Sequence, residues 1–171
     1  YQCSPTIRNN TIEYSIEHGV SADQMTGGTI SGNTIRNCGN SSGDHGIYLD
    51  ESSPAISGNT IQNSYDTGLF VDDRSSPTII GNTITASGKY PIYFHGSPVS
   101  SVSGNQLEGN CYNAFGFDGS LKANTTLVNI QSLGWPYVFE NSMTIDAGVT
   151  LTIPARTVLK GDKSDIVVNG G

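Results

Sequence analysis

Ionisable residues recur at one position of a repeating pattern, four residues into a short apolar segment. The position is occupied in turn by Asp23, Asp50, Asp72, His95 and Asp118. Glu51 and Asp73 follow directly in the second and third copies, so four carboxylates are expected close together. Carboxylate oxygens suit Ca²⁺, which takes roughly six to eight oxygen ligands. One interpretation is therefore a calcium site formed by Asp50, Glu51, Asp72 and Asp73; the other is a set of ordinary turn-forming aspartates.

Aromatic residues run beside this acidic column. Tyr48, Phe70 and Tyr93 each lie two residues before it, and strand alternation places them on the same outward face. Aromatic rings that pack against sugars, next to paired carboxylates, are the groups that glycoside cleavage uses. This third interpretation gives Tyr48, Phe70 and Tyr93 as sugar-binding residues. Its catalytic candidates are Asp50, Asp72, Asp73, Arg74 and His95. His18 and His45 have no second ligand at metal spacing and are assigned no role.

An internal repeat provides the elements that must position these residues. An Asn-Thr-Ile or similar tripeptide begins at Asn10, Asn33, Asn59, Asn82 and Asn105, at spacings of 23, 26, 23 and 23 residues. Each copy holds about three strands of three to five residues, separated by Gly, Asn, Ser and Asp turns. No copy has room for a crossover helix. The repeat therefore predicts an all-β solenoid with three short strands in each rung of about 22–26 residues, paired in parallel with the next rung about 4.8 Å away.

This pattern, over residues 4–120, resembles the right-handed parallel β-helix repeats of pectate-lyase-like and other extracellular proteins. The resemblance implies a stacked asparagine ladder and, in the enzymes of this fold, catalytic groups on an exposed strand face. Asp72-Asp73 resembles the paired aspartates of polygalacturonases, but the Asn-Thr-Asp and Arg-Ile-Lys elements of those enzymes are missing. Enzymatic activity, as a polysaccharide lyase or a glycoside hydrolase, is left open and is not the favoured interpretation.

The pattern changes at about residue 121. Alternating apolar segments continue, but the turns are tighter and the asparagine ladder ends. The later part resembles the opening rungs of β-helix modules in large bacterial and archaeal surface proteins. We therefore predict β-helix rungs over 1–120 and further rungs of a different turn type over 121–171, with the start of a following module as one reading of the second part.

Composition and charge limit the function classes. The 171 residues carry 8 Lys and Arg against 15 Asp and Glu, a net charge of −7. This balance argues against nucleic acid as a partner. No apolar run approaches the roughly 18 residues of a membrane-spanning helix. The sequons at Asn9, Asn40 and Asn124 suit glycosylation outside the cell.

The three cysteines do not form a disulfide framework. Cys38 and Cys111 fall near the same turn but three rungs apart, about 14 Å by the strand spacing. A disulfide needs Cα atoms within about 7 Å, so they cannot pair with each other within the chain. We expect both to be buried free thiols, with Cys3 available to cross-link to a neighbour.

These observations together predict an extracellular or cell-surface structural module. It would belong to a surface layer, sheath, adhesin or fibre, with end-to-end self-association or covalent tandem neighbours as its partners. The alternative is a carbohydrate-active protein that binds or cleaves an acidic polysaccharide. Its ligand would lie on the face formed by Tyr48, Phe70 and Tyr93 with Asp50, Asp72 and Asp118.

Overall fold

The chain forms a parallel β-solenoid. The computed structural model describes residues 3–97, 101–128, 130, 133–161 and 163–170. Among these residues, every pairing between named strands is parallel and joins strands one rung apart. No helix within the described ranges is long and apolar enough to cross a membrane. The expected all-β architecture with three strands per rung is confirmed.

Two short-stranded sheets form two sides of the solenoid. The first contains β1 (Thr6–Arg8), β4 (Thr29–Ser31), β7 (Ala55–Ser57), β10 (Thr78–Ile80) and β13 (Val102–Ser103). The second contains β2 (Thr11–Glu13), β5 (Thr34–Arg36), β8 (Thr60–Gln62) and β11 (Thr83–Thr85). These two sheets come from the residues on either side of each repeated asparagine.

The third side is a longer sheet, called here the long sheet. Its main path contains β3 (Val20–Asp23), β6 (Ile47–Asp50), β9 (Leu69–Val71), β12 (Ile92–His95), β14 (Phe115–Leu121), β16 (Tyr137–Phe139) and β19 (Leu159–Gly161). The end of β14 also pairs with β17 (Met143–Ile145), which pairs with β20 (Ile166–Val168). A separate pair joins β15 (Thr125–Thr126) to β18 (Leu151–Thr152). Parallel pairing thus continues beyond residue 121 among the described residues, and the division near residue 120 stays a prediction.

The core is an aliphatic stack that the repeat builds column by column. Ile35, Ile61 and Ile84 occupy equivalent positions on β5, β8 and β11 and are completely buried. On β6 of the long sheet, alternate residues point inward, so Ile47 and Leu49 are also completely buried. Removal of this apolar surface from water is the main favourable contribution to folding.

A ladder of asparagine side chains closes the turn between the first and second sheets. Asn59 Oδ1 accepts hydrogen bonds from the backbone and side-chain amides of Asn33, both at 3.0 Å. The Asn59 Nδ2 atom donates to Ile30 O at 2.8 Å and to Asn82 Oδ1 at 2.9 Å. Each rung thereby supplies both the donors and the acceptors that its neighbours need, which removes the cost of burying these polar groups.

All three cysteines are free thiols. Cys38 is buried as expected, and burial raises the pKa of its thiol. Cys111 is exposed, so the expectation that it is buried is wrong. Cys111 belongs to the turn Cys111-Tyr112-Asn113, in which all three residues are exposed. The Cys38 side chain, by contrast, packs against Gly19. Cys3 is exposed.

Candidate functional site

Two columns of rings cover the outer face of the long sheet; together they are called the aromatic ladder. Tyr48, Phe70 and Tyr93 point outward because their neighbours on β6, β9 and β12 point into the core. His18 and His45 precede β3 and β6 and stack beside them. His18 lies 4.7 Å from Tyr48, and His45 lies 4.5 Å from Phe70, measured between ring centroids.

The rings of the aromatic ladder stack on each other. Phe70 and Tyr93 are 5.1 Å apart with an interplanar angle of 6°, and Tyr48 and Phe70 are 5.8 Å apart at 23°. Equivalent residues of neighbouring rungs are about one strand spacing apart, a distance that planar rings fill by stacking. The ring faces therefore meet each other and the ring edges point to solvent, which differs from the expectation of free faces for sugars. Tyr93 is only 5% exposed.

A glycine ends the ladder on one side. Gly116, on strand β14, pairs with Tyr93 on the neighbouring strand β12. A β-carbon at Gly116 would collide with the Tyr93 ring, so the absence of a side chain lets the ring lie over the backbone.

The ionisable column lies in register as expected. Asp23 pairs with Asp50 and His95 pairs with Asp118. The Asp72 amide donates to Leu49 O at 2.7 Å, which places Asp72 beside Asp50.

His95 and Asp118 form a closely coupled pair at the end of this column. His95 Nδ1 lies 2.6 Å from Asp118 Oδ1, and Asn141 Nδ2 donates to Asp118 Oδ2 at 2.6 Å. The hydrogen bond to Asp118 raises the pKa of His95. Burial by itself would raise the pKa of Asp118, but hydrogen bonds from His95, Asn141 and Tyr93 outweigh burial and lower it. A buried carboxylate, 1% exposed, thus holds one imidazole nitrogen and leaves the other for solvent or a ligand.

Most of the expected calcium ligands have protein partners. Glu51 pairs with Arg74, and Asp73 pairs with Lys122 Nζ at 3.1 Å. Asp72 Oδ2 accepts a hydrogen bond from the Tyr48 hydroxyl at 2.7 Å. Within the described part of the chain, no group of three or more His, Cys, Asp or Glu side chains is arranged to hold a metal ion. Calcium binding by Asp50, Glu51, Asp72 and Asp73 stays a prediction.

The variant Asp50→Asn tests that prediction by the sign of its effect. Burial, followed by the charges of Asp72 and Asp23, raises the pKa of Asp50, so its ionised form destabilises the fold. This cost is present at neutral pH and disappears as the pH falls through the raised pKa. Without calcium we expect Asp50→Asn to stabilise the protein by about 0.5 kcal/mol, the scale of a like-charge pair on paired strands. The melting temperatures of the variant and of wild type, each in chelator and in calcium, measure this effect. If Asp50 is a calcium ligand, the variant must melt below wild type in calcium.

A groove of about 380 Å³ runs over the aromatic ladder. The residues that precede the strands form one wall, the residues that end them form the other, and Glu140 and Asn141 lie after β16. Its lining consists of Ser42, Gly43, His45, Tyr48, Asp66, Thr67, Phe70, Asp72, Lys89, Tyr93, His95, Asp118, Glu140 and Asn141. The structure thus brings all three sugar-binding candidates to the groove. Of the catalytic candidates, Asp72 and His95 line it, whereas Asp50, Asp73 and Arg74 do not.

The first wall contains a neutral imidazole and a cation. Burial lowers the pKa of His45 to about 4. The Thr67 amide donates to His45 Nδ1 at 3.4 Å, which leaves the ring proton on Nε2. Lys89 Nζ lies 3.8 Å from Asp66 Oδ2 and 3.5 Å from Glu140 Oε2, so its charge lies between carboxylates that belong to two other rungs.

In a comparison with protein families, residues 1–131 match the model described as the right-handed β-helix region. The match covers most of the chain, and the parallel solenoid agrees with it. The chain belongs to the right-handed β-helix family. Comparisons with curated proteins and with solved structures gave no match.

In this β-helix, the sequence did not predict the wall of the groove that is formed by residues preceding the strands. His45, Asp66 and Lys89 on this wall, and Glu140 after β16, were not recognised as site residues, because the residue types at these positions differ between most rungs and form no regular column. One signal was present: His18-Gly19 and His45-Gly46 repeat the same pair directly before a strand. That recurrence indicates stacking between rungs, which a search for metal-ligand spacing does not detect.

The three glycosylation candidates lie on the surface of the β-helix. Asn9, Asn40 and Asn124 are all exposed. Their use stays a prediction, and none of them lines the groove.

Proposed function

We propose that this protein binds a carbohydrate in the groove of the long sheet. The observation that carries the proposal is the alternation of hydrogen-bond donors and acceptors around a groove of about 380 Å³. His45, Lys89 and Asn141 offer N–H donors, and Asp72 and Glu140 offer acceptor oxygens. Sugar hydroxyls both donate and accept, so they match a surface on which the two kinds of group are interspersed. The groove volume lies in the usual range of small-ligand sites.

The charges that line the groove favour a neutral glycan or an amino sugar. Four carboxylates, Asp66, Asp72, Asp118 and Glu140, face Lys89 and, when its ring is protonated, His95. A uronate would add negative charge to this surface, and like charges in a partly desolvated site repel. The acidic polysaccharide of the sequence-based alternative would need a bridging cation such as Ca²⁺. Neutral and amino-sugar ligands need none.

Binding outside the cell is part of the proposal, and the three exposed sequons support it. A structural role for the module, with end-to-end association, stays a separate prediction. The two roles are compatible because the groove lies on the flank of the solenoid, where association of its ends would leave it accessible.

Lys89→Met tests the proposal because it removes a charged donor from the groove and keeps most of the side-chain volume. A glycan array with neutral, amino-sugar and uronic-acid oligomers identifies the ligand class, and titration calorimetry then gives the affinity. We expect Lys89→Met to weaken binding at least about tenfold, the effect of losing one charged hydrogen bond. Assays for reducing or unsaturated sugar ends in the same incubations detect cleavage.

Lys122→Met is the matched control. Lys122 is also a half-exposed lysine in an ion pair, with Asp73, but it does not line the groove. Its variant should bind as the wild type does. Equal losses in both variants, or binding restricted to uronic acids without calcium, would contradict the proposal.

A further inference from the structure

A second depression lies next to the groove on the same flank of the solenoid. Its volume is about 360 Å³, close to that of the groove, and Glu140 lines both. Tyr90, Tyr112, Pro136 and Val138 form its apolar part. Since one carboxylate lies at the boundary, a ligand that fills the groove can continue into this depression without leaving the protein surface.

Tyr112 supplies what the aromatic ladder lacks. Its ring lies 5.1 Å from that of Tyr90 with an interplanar angle of 38°, and 48% of the residue is exposed. The rings of Phe70 and Tyr93, by contrast, are stacked face to face with their neighbours. A sugar ring that packs on an aromatic face therefore finds that face at Tyr112, while the groove offers hydrogen bonds and ring edges.

The rim of the second depression is polar, as the groove is. Lys160 and Asn113 line it together with Glu140. An apolar floor with a few polar groups at its edge is the usual composition of a small-ligand site. The continuity through Glu140 indicates that the occupant is the next unit of the same oligosaccharide.

We propose that this depression is a second sugar subsite, with Tyr112 as its stacking platform, so that the protein recognises an oligosaccharide rather than a single sugar. This inference rests on the proposed function. It adds a length requirement: units held only in the groove do not reach Tyr112, and longer chains do.

Titration of glucosamine oligomers and of cello-oligosaccharides, each from one to six units, tests the inference. We expect Tyr112→Ala to weaken binding of the longest oligomers about tenfold, the scale of one lost aromatic stacking contact. Binding of the single sugar should change by less than about twofold. The Tyr112 side chain lies in an exposed turn, and its backbone amide keeps its bond to Lys89 O at 3.0 Å, so the variant is expected to fold. Tyr112→Phe should bind as the wild type does.

Tyr65→Ala is the matched control, because Tyr65 is 54% exposed and lines neither depression. It should leave all affinities unchanged. If Lys89→Met weakens every oligomer while Tyr112→Ala weakens none, or weakens all lengths equally, the second subsite is contradicted and the groove is not. If no neutral or amino-sugar oligomer binds, either on the array or in these titrations, the proposed function is contradicted, and the subsite with it.

Discussion

Replacing Asn59 by aspartate is expected to destabilise the protein by about 3–5 kcal/mol, the range for breaking a buried, paired polar arrangement. Aspartate has nearly the same shape but no N–H donor. It would place a negative oxygen against Ile30 O and Asn82 Oδ1, which now accept hydrogen bonds from Asn59 Nδ2. Asn59 is 1% exposed, so water cannot satisfy the new charge. Thermal melting followed by circular dichroism should show a midpoint lower by roughly 10 °C or more.

Asn63→Asp is the control for this prediction. Asn63 also takes part in a side-chain hydrogen bond between rungs, to Asn37 Oδ1 at 3.0 Å, but it is exposed. Solvent can hydrate the carboxylate there, and we expect a change below about 1 kcal/mol. If the two variants melted at the same temperature, the buried asparagine ladder would not be a main determinant of stability.

Asp118→Asn is expected to cost about 3 kcal/mol and to change the pH dependence of stability. Asp118 accepts from Asn141 on one oxygen and pairs with His95 Nδ1 through the other, so an amide can keep both contacts only by donating to a neutral His95, and it always loses the negative charge. The raised pKa of His95 makes its contribution complete below its ordinary value of 6.5, and that contribution is lost as the pH rises through the raised value. The lowered pKa of Asp118 makes its contribution complete above 3.8 and lost as the pH falls through the lowered value.

Chemical denaturation at about pH 5.5 and at a series of higher pH values measures this prediction, because the contribution of His95 is complete below 6.5 and is lost as the pH rises through its raised pKa. Wild type should lose stability at the higher pH values, and Asp118→Asn should lose much less. Asp23→Asn serves as the control, since Asp23 occupies the same column but is exposed and pairs with Asp50. A pH dependence in Asp118→Asn equal to that of wild type would show that the pair does not stabilise the fold.

The sequence predicted the fold because its regularities are properties of rungs. A residue type that returns every 23 residues must stack on itself in a solenoid, so the isoleucine columns and their registers follow directly. Asp23 beside Asp50, and His95 beside Asp118, are confirmed for the same reason. The family match over residues 1–131 agrees with this reading.

The walls of the groove were less predictable because they depend on side-chain directions. Lys89 meets Glu140 across a long interval of sequence, and no repeat aligns the two residues. Ring orientation is likewise set by the packing of neighbouring rungs, so strand alternation gave the outward direction of Phe70 but not the stacking of its faces. The repeat places Tyr112 at the position that Asp66 and Lys89 occupy in the preceding rungs, but it does not predict an aromatic residue there.

The most direct test of carbohydrate binding in the groove is a crystal structure of the protein soaked with the oligosaccharide that binds best. We expect sugar density over the edges of Tyr48 and Phe70, between His45 and His95, with hydroxyls bonded to Lys89 or Asp72. Ordered sugar elsewhere on the solenoid with the groove empty would contradict the assignment of this groove as the binding site.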